Sequence, residues 1–392
     1  MGNVPHLRFP EFSGEWETKS INDLADVIGG GTPDTTVKSY WDGGIQWFTP
    51  SEIGKNKFVD ASLRTITEDG LNNSSAKLLP PNTILLSSRA TIGECSLSLR
   101  ECATNQGFQS LVSKKCNVDF LYYLIQTKKK DLIRKSCGST FLEISANEVR
   151  KIQVSVPSDV EQQKIAGLLS LIDKRIATQN KIIEDLKKLK SAIVEMLLCN
   201  QNGESFKLRD VGCFVRGLTY ANEDVTENKA ATTVIRANNL NYGNNVDKDE
   251  VVYVNKTPTT SQILRKGDIV ICMANGSSSL VGKNSYYPFN DGQSTIGAFC
   301  GIYRTSYPFV KWLMQSQRYK RLVYQSLQGG NGAIANLNGD DILNMSFPLI
   351  ENGKSQSIIF AIDAIEKSLM VNKSLQRLYY TQKSYLLKQM FI

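Results

Sequence analysis

Cysteine and histidine are the residues of this chain whose chemistry is easiest to recognise, and their spacing argues against a metal site. The eight cysteines are scattered and form no C-x-x-C pair, and His6 is the only histidine. A structural zinc site needs four such ligands close together, and a catalytic general base is most often a histidine. We therefore expect no bound metal and no cofactor. Dispersed thiols suit a reducing compartment, which predicts a cytoplasmic protein.

Several short segments resemble catalytic motifs, but their residues or their spacing do not match those motifs. In "GSSSLVGKN", which begins at Gly276, five residues separate the glycines, and Asn284 stands where a phosphate-binding loop needs Ser or Thr. The glycines of residues 29–31 precede Thr-Pro, which predicts a turn rather than the helix start of a dinucleotide-binding fingerprint. Pro33 and Asp34 could open a nuclease motif, but no D/E-x-K follows from Asp42, Glu52 or Asp60, and "LPPNT" at Leu79 is not an amino-methyltransferase motif. The sequence predicts a protein that is not an enzyme.

Length, composition and charge indicate a globular chain of two or three domains. The chain has 392 residues, of which 41% are hydrophobic and 21% charged. A net charge of +8 is compatible with an anionic partner such as nucleic acid, and equally with a solvated basic face. No run of 18 apolar residues predicts a membrane span, and the first residues lack the apolar region of a signal peptide.

The chain repeats one plan twice. "INDLADVIGGGTP" from Ile21 aligns with "LRDVGCFVRGLTY" from Leu208, and four further matches follow in the same order at offsets of 185 to 193 residues. Each half alternates short β-rich runs, such as "TILLSS" and "DIVICM", with Gly/Asn/Ser turns and one or two helices. This pattern predicts two mixed α/β domains. "CNQNGES" from Cys199 to Ser205 is the predicted linker between the halves.

A long amphipathic helix closes each half. Pro157 stops the preceding strand, and Ser158 with Glu161 forms an S-x-x-E capping box. Apolar residues then alternate by four and three, which is typical of a coiled-coil seam, and the second helix carries a looser, more aromatic stripe. Because such a stripe cannot be left in water, we predict that the two helices pack on each other; the alternative is that each packs only on its own domain. The predicted interface residues are Ile172, Ile176, Ile183, Leu186, Ile193 and Leu197 in the first helix and Leu369, Leu375, Tyr379 and Leu386 in the second.

Five segments together resemble the specificity subunit of type I restriction–modification systems. They are "VPHLRFPEFSGEWE" from Val4, "GGGTPDTTVKSYWDGGIQWFTPSEI" from Gly29, "SSRATIGECSL" from Ser87, "NQGFQSL" from Asn105 and "VPSDVEQQKIAGLLSLIDKRI" from Val156. The resemblance implies two target recognition domains, each reading one half of a bipartite DNA sequence, joined by two long helices that form an antiparallel coiled coil. It implies partners as well, namely double-stranded DNA, DNA methyltransferase (modification) subunits, and a restriction motor subunit joined through them. It implies no catalytic activity in the subunit itself.

This organisation predicts domain boundaries and a set of DNA contacts. The first recognition domain spans 1–157, the first helix 158–198, the linker and second recognition domain 199–352, and the second helix 353–392. Bases are read by Arg, Asn, Gln, Lys and hydroxyl side chains, while basic residues and amides hold phosphates. Candidates on predicted loops of the first half are Lys38, Tyr40, Trp41, Ser87, Ser88, Arg89, Thr91, Asn105 and Gln106. Candidates in the second half are Arg236, Asn238, Asn239, Asn275, Ser277, Ser278, Lys283 and Gln293.

Two other classes of protein stay open on the sequence alone. A structural adaptor with duplicated protein-binding domains would show the same repeat and the same helices. A freestanding enzyme would need a site that the single histidine disfavours. For each candidate contact a structural role is the alternative: Arg89 could pair with an acid in a turn, and Trp41 could lie in a core.

Overall fold

The computed structural model describes residues 2–138, 142–199, 203–327, 335–349 and 352–392. These residues form two compact units. Unit 1 comprises Met1–Lys181 and Lys373–Ile392, and unit 2 comprises Ile182–Asn372. Residues 200–202 of the predicted linker lie outside the described residues. The predicted mixed α/β class is confirmed.

Unit 1 contains short strands and helices that precede one long helix. Its strands are β1 (Glu17–Ser20), β2 (Ala25–Gly29), β3 (Trp41–Phe48), β4 (Phe58–Val59), β5 (Arg64–Ile66), β6 (Ile84–Leu86), β7 (Cys95–Ser98), β8 (Cys102–Thr104), β9 (Gln109–Ser113) and β10 (Gln153–Val156). Its helices are α1 (Ile21–Leu24), α2 (Glu68–Asn72), α3 (Val118–Thr127), α4 (Lys129–Arg134), α5 (Ala146–Arg150) and the first part of α6 (Asp159–Ile193).

The strands of unit 1 form three sheets in the described residues. One sheet has the order β2-β9-β6-β7-β4, a second has the order β5-β3-β8, and β1 pairs with β10. The pairs β3–β8 and β4–β7 are parallel, whereas the others are antiparallel. Strand β6 is buried along its whole length because its apolar run faces protein on both sides. Trp16, Phe120 and Phe391 pack together in the main core of this unit.

Unit 2 has a similar succession of elements. Its strands are β11 (Ser205–Lys207), β12 (Gly212–Arg216), β13 (Val225–Thr226), β14 (Thr232–Ile235), β15 (Val252–Val254), β16 (Ile269–Cys272), β17 (Ala274–Asn275), β18 (Asn284–Tyr286), β19 (Ser294–Ile296), β20 (Cys300–Thr305), β21 (Ala335–Asn336) and β22 (Ser346–Pro348). Its helices are α7 (Leu208–Val211), α8 (Val310–Leu313), α9 (Gln317–Leu327), α10 (Gly339–Leu343) and the first part of α11 (Asn352–Gln389). A π-helical turn, Val194–Cys199, continues α6.

The strands of unit 2 form two larger sheets and two strand pairs. The sheets have the orders β12-β20-β16-β18 and β13-β15-β14-β19, and the pairs are β11–β22 and β17–β21. The β14–β19 pair is parallel. The Arg304 guanidinium binds both carboxylate oxygens of Asp268 at 2.8 and 2.7 Å, and Asp268 is only 2% exposed. A bidentate pair of this kind fixes the start of β16 against β20.

The long helix α6 starts as predicted, but its cap differs in one bond. It begins at Asp159, and the Glu161 amide approaches the Ser158 hydroxyl at 3.5 Å. The Glu161 carboxylate does not return to the cap. It binds Arg8 through both oxygens at 2.8 Å, because a bidentate ion pair is stronger than a neutral amide contact. The capping box is therefore replaced by a single capping bond and an ion pair.

Both long helices contribute to the core of each unit. In unit 1, Ile172 and Ile176 of α6 lie in the same apolar cluster as Leu386 of α11, and Tyr379 packs against that cluster. In unit 2, Ile193 packs against the cluster that holds Val194, Ile358 and Ile362.

The other predicted seam residues are also removed from water to varying degrees. Ile183 and Leu369 are buried, Leu186 and Leu375 are half-buried, and the side chain of Leu197 lies outside the described part.

No described helix is both long enough and apolar enough to cross a membrane.

Candidate nucleic-acid interface

The loop that follows β6 folds into a tight turn in which Arg89 already has a partner. Ser87 is fully buried, and its hydroxyl donates to the Arg89 carbonyl oxygen at 2.8 Å. Ala90 adopts the left-handed backbone conformation, with φ of 60°, which closes the turn. The Arg89 guanidinium donates to one carboxylate oxygen of Glu143, from Nε at 3.2 Å and from Nη2 at 2.7 Å.

Backbone hydrogen bonds bring a second loop of unit 1 against this turn. The Ser88 amide donates to the Gly107 carbonyl oxygen at 2.8 Å, and the Asn105 amide donates to the Phe48 carbonyl oxygen at 3.1 Å. The Asn105 side chain accepts from the Gly107 amide, which leaves Gln106 exposed at the tip. The loops after β3, β6 and β8 therefore meet at one place on unit 1.

Trp41 lies inside the protein rather than on this surface. Its indole nitrogen donates to the Asp34 carbonyl oxygen at 3.1 Å, and its ring packs edge-on against Trp47 at a centroid distance of 5.2 Å. The Arg64 guanidinium lies 3.5 Å from the centroid of the Trp41 ring. Within the 3-10 helix Lys38–Tyr40, Lys38 is exposed. Trp41 is thus a core residue with a cation–π partner, and we leave it out of the interface.

In unit 2 the loop after β14 is fixed by a buried amide. The Asn239 side chain accepts from the Arg236 amide at 2.9 Å and donates to the Asp249 carbonyl oxygen at 2.9 Å. Asn239 is 1% exposed, so it shapes the turn, whereas Asn238 next to it is exposed. The Arg236 Nε atom is buried and has no hydrogen-bond partner in the described residues.

Two more loops of unit 2 join the turn at Arg236 around a cavity. The Gly297 amide donates to the Ile235 carbonyl oxygen at 3.0 Å, and the Met273 amide donates to the Phe299 carbonyl oxygen at 2.8 Å. The cavity between these loops is open to solvent and has a volume of about 570 Å³. The side chains that line this cavity include Tyr220, Arg236, Asn238, Asn275 and Phe299.

The predicted contact residues differ in how accessible the structure leaves them. The exposed residues are Lys38, Thr91, Gln106, Asn238, Ser277, Ser278 and Gln293. The half-buried residues are Tyr40, Arg89, Asn105, Arg236, Asn275 and Lys283. The buried residues are Trp41, Ser87, Ser88 and Asn239. The buried four lie inside the fold, so we do not carry them into the proposed interface.

Some accessible candidates lie apart from the cavity of unit 2. Ser277 and Ser278 follow β17 and do not line it, although neighbouring Gly276 does. Lys283 belongs to the turn before β18, and its carbonyl oxygen accepts from the Cys272 amide at 2.8 Å. Gln293 precedes β19. DNA contact by these residues stays a prediction.

Burial keeps two cysteine thiols of the described residues protonated. Burial raises the pKa of the Cys300 thiol, at the edge of the cavity, to about 12, so it is protonated at neutral pH and is not a nucleophile. Burial likewise raises the pKa of Cys95 in unit 1 to about 12. No cluster of three or more potential metal ligands occurs among the residues that the structure describes.

The sequence did not single out three residues of these sites. Phe299 and Tyr220 line the cavity of unit 2, and Glu143 pairs with Arg89. Aligning the "NQGF" loop of the first half, which holds the candidates Asn105 and Gln106, with "GAFC" of the second would have pointed to the loop that contains Phe299. No local signal points to Glu143, because 54 residues separate it from Arg89.

The first half of the chain is similar to a known protein domain. Residues 13–188 match the type I restriction modification DNA specificity domain. The type I restriction enzyme MjaIX specificity subunit of Methanocaldococcus jannaschii is 39% identical over 180 residues, which cover 45% of this chain and 42% of that protein. Matches to three curated relatives span between 39% and 46% of the relatives' own length, so the chain matches less than half of each.

Comparison with solved structures extends the likeness of the fold to the whole chain. The S subunit of a type I restriction-modification system from M. genitalium aligns over 99% of both chains, with a TM-score of 0.57 and 16% identity. A chain from a structure of the assembly and conformational transition of the type I R-M system aligns over 98% of this chain and 99% of that one, with a TM-score of 0.57 and 12% identity. At these identities the likeness shows the fold alone.

Residues 13–188 are therefore similar to the type I restriction modification DNA specificity domain. The resemblance to type I specificity subunits that the sequence motifs indicate is confirmed.

Proposed function

We propose that the chain is the sequence-specific DNA-recognition subunit of a type I restriction–modification complex, with each unit reading one half of a bipartite site. The observation that carries the proposal is that three backbone hydrogen bonds joining the candidate loops recur in both units. In unit 1 they are Gly31 N to Thr104 O, Asn105 N to Phe48 O, and Ser88 N to Gly107 O. Their counterparts in unit 2 are Leu218 N to Ile296 O, Gly297 N to Ile235 O, and Met273 N to Phe299 O. One loop scaffold with different side chains suits two domains that read different half-sites.

The strand pairings support the proposed duplication. The pairs β1–β10, β2–β9, β6–β9 and the parallel β3–β8 have the counterparts β11–β22, β12–β20, β16–β20 and the parallel β14–β19. They occur in the same order along the chain. We therefore keep 1–157 and 199–352 as the proposed recognition domains, with the helices at 158–198 and 353–392 between and after them.

Ion pairs support the proposed antiparallel coiled coil of α6 and α11. In unit 1, Lys383 of α11 binds Asp173 of α6 at 2.8 Å. In unit 2, Lys190 of α6 binds Glu366 of α11. Moving forward along α6 thus corresponds to moving backward along α11, as an antiparallel pair requires. Such a pair would set the distance between the two recognition domains.

The residues that remain accessible are chemically suited to DNA. Arg and Asn side chains can bind guanine and adenine bidentately in the major groove, and Lys38 is suited to a phosphate. Within the part of the chain that the structure describes, the buried Nε atom of Arg236 has no hydrogen-bond partner, and a buried polar donor is costly unless a ligand supplies an acceptor.

The proposal assigns the chemistry to partners rather than to this chain. Methyltransferase (modification) subunits would dock on the helices, and the restriction motor subunit would join through the modification complex. The chain itself would supply recognition and scaffolding, without a cofactor. This assignment is supported by the match of residues 13–188 to a DNA specificity domain and by the raised pKa of the Cys300 thiol at the cavity of unit 2.

The test compares methylated genomic motifs in host cells with and without this gene, together with the partner subunits. We expect a bipartite motif that disappears when the gene is deleted. The purified chain should also be retained on heparin and should shift mixed duplexes in a salt-sensitive manner, because phosphate contacts release counterions. No change in the methylated motifs together with no DNA binding would favour the adaptor instead.

A further inference from the structure

The turn between β19 and β20 exposes a large aromatic ring inside the cavity of unit 2. Phe299 is 71% exposed, whereas Gly297 and Cys300 on either side of the turn are buried. The ring lines the cavity of about 570 Å³ together with Asn238 and Asn275. An exposed ring of this size beside Arg236, Asn238 and Asn275 combines apolar surface with hydrogen-bonding groups, which is an arrangement that a ligand with both kinds of group can contact.

The equivalent position of unit 1 is a glycine. Gly107 and Phe299 accept the corresponding backbone hydrogen bonds, from Ser88 and Met273. The ring therefore belongs to unit 2 alone and is not part of the scaffold that the two units have in common. A residue that differs between equivalent loops is what separate half-site specificities need.

The space beside this position differs between the units as well. A Cβ atom on Gly107 would lie 3.0 Å from Cγ of Pro50 and 3.1 Å from Oδ1 of Asn105, which is too close for a side chain without a shift. Pro50 begins the 3-10 helix after β3, and the residue that begins the corresponding 3-10 helix in unit 2 is Ala237. Ala237, which is smaller than proline, and Phe299 both line the cavity of unit 2.

We infer that Phe299 contacts the 5-methyl group of a thymine in the major groove of the half-site read by unit 2. This inference rests on the proposed function. Asn238, Asn275 and Arg236 around the ring can bind adenine and guanine edges, but the methyl group of thymine is the apolar feature of the groove that a phenyl ring matches. A ring that entered between base pairs as a wedge would instead unstack them.

The turn holds the backbone at Phe299 in a fixed position. The Phe299 carbonyl oxygen accepts from the Met273 amide at 2.8 Å, and the Cys300 amide donates to the Gly297 carbonyl oxygen at 2.9 Å. An ordered backbone at this position loses little conformational entropy on binding, which favours a specific contact over a nonspecific one.

The experiment uses the complex assembled with its modification subunits and a duplex that carries the motif found by methylation mapping. Each thymine of the half-site read by unit 2 is replaced in turn by uracil, which lacks only the methyl group. We expect one replacement to weaken binding by the wild-type complex about fourfold, the effect of one buried methyl group. Phe299→Ala should bind the thymine duplex about fourfold more weakly and should no longer distinguish thymine from uracil there. Phe289→Ala, which removes another exposed ring of unit 2 outside the cavity, should keep the wild-type discrimination.

The remaining outcomes distinguish failure of the Phe299 contact from failure of the proposed function. If the wild-type complex shows no sequence-specific binding, the proposed function fails. If binding is specific but Phe299→Ala still distinguishes thymine from uracil at every position, the inference is overturned. A half-site without thymine also overturns the inference. The inference fails as well if 2-aminopurine fluorescence shows that the wild-type complex unstacks bases and that the Phe299→Ala complex does not. A lowered melting temperature of Phe299→Ala would assign the ring to the fold.

Discussion

Arg89→Ala separates the structural role of this arginine from a role in reading DNA. In the structure, Arg89 gives two hydrogen bonds to the same oxygen of Glu143, at 3.2 and 2.7 Å. The two side chains are 40% and 37% exposed, so solvent screens the pair. An ion pair of this kind contributes roughly 0.2–1 kcal/mol. We therefore expect Arg89→Ala to lower the free energy of unfolding by less than about 1 kcal/mol.

A base contact by Arg89 would have a larger effect, confined to one position of the site. A bidentate contact with guanine discriminates against other bases by about 1–3 kcal/mol, or roughly fivefold to 150-fold in affinity. A phosphate contact would weaken binding to all sequences alike and lower the salt slope by about one unit. We favour the base contact, because the segment "SSRATIG" has a different sequence, "MANGSSSLVGK", in the second half.

The assay measures methylation by the assembled complex on a panel of single-base variants of the cognate site. Affinity for random duplex at two salt concentrations is measured in parallel. Arg89→Ala should relax one base position and leave random-duplex affinity nearly unchanged. Glu143→Gln is the matched control, because it removes the ion pair but keeps Arg89, and it should preserve discrimination at that position.

Two results would refute this reasoning. A uniform loss of methylation across the panel, with a shallower salt slope, would make Arg89 a phosphate contact. If Arg89→Ala and Glu143→Gln both methylate the panel as the wild type does, and both lose the same stability in urea, then Arg89 only stabilises the turn through its ion pair with Glu143.

Three further predictions concern the spacer, the modules and the pH dependence of stability. Replacing Ile183 and Leu186 together by Asp should lower the free energy of unfolding by about 3–5 kcal/mol, because Ile183 is 6% exposed and Leu186 is half-buried. An unchanged melting temperature and unchanged protease resistance of the central helix would contradict the pairing of the two helices. Exchanging residues 205–350 for the corresponding region of a relative should change one half of the methylated motif; a change in both halves, or in neither, would contradict two independent modules. Burial alone would raise the pKa of Asp291, but hydrogen bonds, first among them that from Lys248, lower it from 3.8 to about 2. The ionised carboxylate therefore stabilises the fold above about pH 4, and this contribution is lost as the pH falls through about 2. In urea titrations Asp291→Asn should be less stable at neutral pH and less sensitive to acid between these limits, and an unchanged acid transition would argue against the assignment.

The sequence by itself determined the mixed α/β class and one inner strand of the main sheet in each unit. The runs "TILLSS" and "DIVICM" became β6 and β16, and the long helix begins after Pro157 as its pattern predicts. These features are local: the period of apolar residues, the turn residues and the caps act over a few positions, so they can be recognised without knowing the fold.

Tertiary structure alone decided which candidate side chains reach solvent and which are paired. Arg89 meets Glu143 across 54 residues, Trp41 packs against Trp47 instead of facing out, and the Glu161 carboxylate binds Arg8 rather than its own helix start. The physical reason is that a polar side chain on a loop takes the partner that long-range packing brings within about 3 Å, and its sequence neighbours carry no information about that partner.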